Sequence, residues 1–176
     1  MATIYSHAVV GVGLARLYAV QPTPWAYWGL AAVLPIIPDL DVFSTAAYGG
    51  PLGHRGIAHS VLFALLLSIV TASMTFRCFH VRWWSLMALF FTITASHGLL
   101  NAMTKGGGGI PFFWPLGGRC GNWGPIPLSD IAFDLPDPRY SRAVRAELLW
   151  GWLPTIVVVG LTVLYRRLTR SERSIQ

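Results

Sequence analysis

A chain of 176 residues is long enough for one domain with a sizeable core. At 54% hydrophobic and only 11% charged it departs from a soluble domain, where roughly a quarter of residues are charged. Folding in water would leave too much apolar surface uncovered, so the bilayer is the solvent this composition fits. The formal net charge of +6 does not call for nucleic acid, because no basic stacking motif accompanies it and much of the excess flanks apolar runs.

Five apolar segments follow in chain order. The first covers residues 4–20 and is short for a span of roughly 20 residues. No Lys or Arg precedes it, so it lacks the charged start of a cleavable signal peptide and is expected to be retained. The second, 24–38, follows Pro22 and Pro24 and ends at Pro35 and Pro38. The third, 59–76, and the fourth, 83–103, are joined by a short link bracketed by Arg77 and Arg82. A stretch rich in Gly and Pro, 104–145, separates the fourth from the last, 146–168, where Pro154 predicts a kink. So long a connection suggests a lid or binding surface, and Phe112, Phe113, Trp114 and Trp123 predict an ordered, partly interfacial loop. The expected architecture is an all-α transmembrane bundle of about five helices, one domain over 1–176. Cys78 and Cys120 lie in different regions and suggest neither a disulfide framework nor a cysteine zinc knuckle.

Alternating five spans brings the start of the first, the end of the second, the start of the third, the end of the fourth and the start of the fifth to one membrane side. His7, Asp39 with Asp41, His54 with His59, and His97 with Asn101 fall at the first four of these ends. The opposite side receives Arg16, Arg77, Arg82 and the tail Arg166, Arg167, Arg170 and Arg173, which marks it as cytoplasmic and the polar side as extracytoplasmic. Lys105, Arg119, Arg139, Arg142 and Arg145 oppose that assignment, but charges in a long loop weigh less.

Imidazole and carboxylate are the usual ligands of zinc and related divalent ions. His97 and Asn101 are four residues apart and share one helix face. Asp39 and Asp41 follow a helix stop, where an extended turn would aim both carboxylates together. His54 lies in a loop, and His59 opens the third helix. Alone, each element fits a cap or an interfacial hydrogen bond. Together they would place several ionisable groups near hydrocarbon, which costs several kcal/mol unless they are paired or coordinated, so the cluster predicts a metal site.

Ser6-His7, Pro38-Asp39-Leu40-Asp41, His54-Arg55-Gly56-Ile57-Ala58-His59-Ser60 and Ser96-His97-Gly98-Leu99-Leu100-Asn101 resemble the YdjM-type membrane-bound metal-dependent hydrolases. The similarity spans roughly residues 6–130, including the Gly-rich run and Trp123-Gly124-Pro125-Ile126-Pro127. It implies a hydrolase with one or two divalent ions, zinc first among them, distantly like zinc-dependent phospholipase C enzymes. The implied ligands are His7, Asp39, His54, His59 and His97, with Asp41 beside them. The family pattern has Asp where this chain has Asn101, which offers a neutral carbonyl oxygen instead of a carboxylate; weaker metal binding or slow turnover is the implied consequence.

The expected activity is hydrolysis of a phosphoester, with membrane lipids as the candidate substrate because a site at helix ends opens onto headgroups. Asp41 or Asp39 would serve as general base. Arg55 suits a phosphate fork or, equally, a headgroup anchor, and Lys105 with the glycine run offers further anion contacts. The rival class is a metal-binding or transport protein without catalysis; transport predicts polar residues at mid-membrane depth. An intramembrane peptidase is disfavoured because no His-Glu-x-x-His helix is present.

Overall fold

A computed structural model describes residues 2–19, 23–44, 50–105, 108–121, 126–127 and 144–173. Five α-helices carry it: α1 Ile4–Tyr18, α2 Trp25–Val33, α3 Val61–Phe79, α4 Trp83–Ala102 and α5 Leu153–Arg173. Among the described residues, α3, α4 and the continuous helical stretch Val144–Thr169 are long and apolar enough to cross a membrane, with α2 joining them if its bent continuation is counted. At 15 residues α1 reaches only about 22 Å, less than a hydrocarbon core of roughly 30 Å.

Local chemistry sets each boundary. The Thr3 side chain caps α1 by accepting the Ser6 N–H, and Ser60 caps α3 by accepting from Phe63 N–H. His80 ends α3 in the left-handed conformation, at φ 52°. The second apolar segment does not continue as one helix. Beyond α2 the backbone tightens into a 3-10 helix, Ile37–Phe43, bent 49° from α2, because Pro38 has no N–H to sustain the α pattern. Asp39 N–H then donates three residues back, to the Ile36 carbonyl at 3.0 Å. The Pro35 carbonyl is thereby left for another donor.

The predicted kink at Pro154 takes the form of a π-turn over Leu148–Trp152, where Leu153 N–H reaches the Leu148 carbonyl five residues back. Pro154 cannot donate to the Trp150 carbonyl and its ring crowds that position, so widening the preceding turn relieves both.

Helix α4 is the centre of the bundle: 56% of its span is buried, against 17% for α3 and 6% for the last span, which therefore face lipid. α3 and α4 form a hairpin, and α1 packs on α2, α4 and α5. Glycine permits the closest approaches. A Cβ at Gly11 would lie 2.2 Å from the Ala31 carbonyl oxygen, and one at Gly98 would lie 2.9 Å from that of His59. Tyr27, Leu34, Leu86, Phe90 and Ile93 fill the interior away from the polar end, and the Tyr27 hydroxyl donates to the Ala15 carbonyl at 2.9 Å.

The described part of the long loop is held by backbone pairing. Ile110 and Cys120 exchange backbone bonds of 2.9 and 2.8 Å, Thr104–Lys105 pairs in parallel with Ile126–Pro127, and Val61 N–H donates to the Phe112 carbonyl at 2.9 Å. Phe113 and Leu116 are exposed, in keeping with an interfacial surface. Trp123, Arg139 and Arg142 lie outside the described residues.

Candidate metal centre

The four helix ends that alternation assigns to one side do converge. His7 stands on the second turn of α1, Asp39 and Asp41 on the 3-10 helix, His54 and His59 on the connection to α3, and His97 with Asn101 on the last turns of α4. The rings of His7 and His97 stack with centroids 4.0 Å apart, and His59 lies 4.7 Å from His97. His7, His59, His97 and Asn101 are completely or almost completely buried, and Asp39 is 7% exposed.

Two details differ from expectation. The aspartates do not sit on an extended turn that aims them together. In a 3-10 helix residues two apart diverge by about 120°, so the two carboxylates separate and share His59 between them. Asp39 Oδ1 lies 3.5 Å from His59 Nε2, and Asp41 Oδ2 lies 3.2 Å from His59 Nδ1. Nor does His59 open α3; it occupies a 3-10 turn, Ile57–His59, ahead of the Ser60 cap. Burial by itself would lower the His59 pKa, but the Asp39 and Asp41 carboxylates on either side of the ring outweigh that and raise it.

The tautomer of His97 follows from its partners. Nδ1 lies 2.6 Å from the Pro35 carbonyl, which can only accept, so Nδ1 carries the proton and Nε2 presents its lone pair. That is the arrangement by which a backbone carbonyl orients a metal-ligating histidine. The same Nε2 stands 3.4 Å from Asp39 Oδ1. Two acceptors thus face each other in a buried space, a repulsive arrangement that a cation between them would reverse. Both Asp39 oxygens, both His7 nitrogens and both His59 nitrogens are buried without a hydrogen bond meeting full geometry among the described residues. His7, Asp39 and His97 each offer one ligand atom, all within 4.8 Å of one another. In a tetrahedral site, ligands 2.0–2.2 Å from a zinc ion stand about 3.3–3.6 Å apart, so closure of up to about 1.5 Å would bring the three onto one ion. The residues fit a divalent ion.

His54 and Asp41 form the outer end of the cluster, with Nδ1–Oδ1 at 2.5 Å and side chains 15% and 10% exposed. This is where the site meets the outside. Arg55 is completely buried and has a left-handed backbone, φ 62°. Its Nη2 donates to Thr104 Oγ1 at 2.9 Å, and that hydroxyl donates to the Asn101 carbonyl at 2.7 Å. Its full burial bears equally on the phosphate-fork and headgroup-anchor roles, and one of its contacts is Thr104. Lys105 is exposed beside it, and Gly106 and Gly107 lie outside the described residues.

Asn101 Nδ2 lies 2.9 Å from His97 Nε2, and Asn101 Oδ1 accepts from Ala2 N–H at 3.3 Å. Because His97 Nε2 is an acceptor, the amide nitrogen must face it. The carbonyl oxygen that would ligate a metal is turned to the chain start.

One buried acid escaped sequence reasoning. Glu147, 3% exposed, accepts from Thr3 N–H at 2.9 Å, Thr3 Oγ1 at 2.6 Å and Ser6 Oγ at 2.5 Å. Its only sequence signal is a carboxylate at the head of an apolar run.

Comparison with known proteins agrees with this architecture. A family model described as YdjM inner membrane protein matches residues 1–169. Inner membrane protein YbcI of Escherichia coli (strain K12) is 33% identical over 179 residues, covering 95% of this chain and all of that protein. No solved structure matches the chain.

Proposed function

This chain belongs to the YdjM inner membrane protein family and is an integral membrane protein; from that premise we propose that it is a metal-dependent hydrolase acting on a phosphoester, a phospholipid being the candidate substrate. The observation that carries the metal is the pair of acceptors, His97 Nε2 and Asp39 Oδ1, facing each other 3.4 Å apart in a buried space. His7, Asp39, His59 and His97 would hold the ion, with His54 at the rim.

The chemistry supplied by zinc at such a centre is Lewis-acid activation of a water, whose pKa falls toward about 7, and of the scissile phosphoryl group. The protein's part follows from the exposure gradient. Asp39, buried and without a donor of full geometry, is a ligand. Asp41 lies at the opening with His54 hydrogen-bonded to it at 2.5 Å, so Asp41 is the residue placed to take a proton from an incoming water. Arg55, held by Thr104, fixes the α4 terminus from below and supplies positive potential toward an anionic substrate. Exposed Phe113 and Leu116 would seat the loop at headgroup level, and the arginines of the far end support an extracytoplasmic position for this face.

Elemental analysis of the purified chain tests the metal, and release of headgroup or phosphorylated headgroup from defined phospholipids tests the chemistry. We expect near-stoichiometric divalent metal, turnover abolished by chelator and restored by zinc, and at least about 100-fold loss in His59→Ala. Absence of metal, or turnover indifferent to chelator, would overturn the proposal. One observation favours a second reading, a metal-binding protein without catalysis: the Asn101 amide holds the His97 lone pair where the family pattern has a carboxylate. Stoichiometric metal without phosphoester turnover is its signature.

A further inference from the structure

Helix α1 has a positive and a negative end, as every helix does, and the last helical span carries a matching charge for each. Arg166 donates to the Ala19 carbonyl at 3.0 Å and to the Leu17 carbonyl, satisfying acceptors at the α1 C-terminus. Glu147 does the converse at the N-terminus, where its three hydrogen bonds all come from Thr3 and Ser6. The two contacts are not equivalent for the site. The Arg166 end is remote from it, whereas Ser6 immediately precedes His7.

The π-turn is what brings the last span to bear there. In a regular α-helix Glu147 and Trp152, five residues apart, would point about 140° away from each other. The i to i+5 bonding of Leu148–Trp152 stacks such positions instead. Glu147 and Trp152 consequently address one point: the Trp152 indole N–H donates to Ser6 Oγ at 2.9 Å, and Ser6 Oγ donates on to Glu147. Among the described residues no cation pairs with this buried carboxylate. It is satisfied by the N-cap residue Thr3, through its N–H and hydroxyl, and by the Ser6 hydroxyl, which ties down the start of a short helix. His7 itself has no hydrogen bond of full geometry at either ring nitrogen and is only stacked on the His97 ring at 4.0 Å, so its height along the α1 axis is set by the backbone.

We propose that Glu147 is a positioning residue for the metal centre: by holding Thr3 and Ser6 it fixes the axial height and rotation of the α1 N-terminus, and so presents His7 to the ion bound with Asp39 and His97. This rests on the metal reading above but concerns a residue outside the ligand set.

The test uses the full-length chain in detergent, titrated with cobalt(II) and followed by its visible ligand-field bands. Glu147→Gln and Ser6→Ala should each weaken cobalt binding by about 10- to 100-fold, the range for residues that orient ligands, and should shift the bands. Arg166→Met releases the other end of α1 and is the structural control. It should lower the thermal midpoint while leaving cobalt affinity and spectrum as in wild type. If Glu147→Gln does not fold, Ser6→Ala carries the test alone. Cobalt affinity and bands unchanged in Ser6→Ala and in a folded Glu147→Gln overturn the inference, as does an equal effect of Arg166→Met. A wild-type chain that takes up no cobalt overturns the metal reading and this inference together; wild-type uptake with unaltered variants overturns only the latter.

Discussion

At the scale of single residues, Asn101 decides how the centre behaves with and without an ion. Its amide donates to His97 Nε2, the lone pair a metal would use, so metal binding must displace that hydrogen bond. Asn101→Asp inverts the balance. Without metal it removes that donor and adds a buried negative charge near Asp39, a cost of about 3 kcal/mol when no cation compensates. With metal, the added charge should tighten binding about tenfold, or ~1.4 kcal/mol. The expected result is a thermal midpoint below wild type in chelator and a larger upward shift on zinc addition, read by a thermal unfolding assay of both proteins. A variant equally destabilised in both conditions would contradict this account. The histidines and aspartates were readable from sequence because ionisable residues at the ends of apolar runs are rare enough to stand out. Glu147 was not, because its partners Thr3 and Ser6 are more than 140 positions away and nothing local marks the acid as buried.

At the scale of elements, the site depends on how closely the 3-10 turn carrying His59 approaches α4. Gly98 sets that distance, since a Cβ there would meet the His59 carbonyl oxygen at 2.9 Å and the Phe112 ring at 2.8 Å. Gly98→Ala should therefore push the His59 turn off α4, costing about 1–3 kcal/mol by overpacking and weakening metal binding by about 10- to 100-fold. Gly160→Ala on α5, where a Cβ meets nothing within 4 Å, is the comparison that should leave metal binding unchanged. Isothermal titration of both variants with zinc checks the pair, and equal affinities would remove Gly98 from the explanation. The long helices could be placed from apolar runs to within a few residues, as with α4 at Trp83–Ala102 against 83–103. The 3-10 geometry could not, because Pro35 and Pro38 announce a break without saying which carbonyls it liberates. The liberated one, that of Pro35, is the group that orients His97.

At the scale of the whole molecule, charge divides the bundle. Arg16, Arg77, Arg82, Arg166 and Arg167 lie at the end away from the metal centre, in short links or beside a span, where positive charge most strongly sets orientation. At the centre's end Lys105 is exposed, whereas two described arginines are engaged by the protein. Arg55 is buried against Thr104, and Arg119 donates to the carbonyls of Gly108 and Gly109 at 3.0 and 2.5 Å. The balance is the ground for proposing an extracytoplasmic centre, and two existing features make the side measurable. Cys78 is exposed near the arginine-rich end of α3, and Leu116 is 96% exposed on the loop at the opposite end. With Cys120 replaced by Ser, a membrane-impermeant maleimide applied to intact spheroplasts should label Leu116→Cys in a Cys78→Ser background, and should reach Cys78 only after lysis. The converse pattern would place the centre in the cytoplasm. A phospholipid substrate would then have to come from the inner leaflet, and the arginine count would be a property of packing, as the Arg166 contact to α1 already is in part.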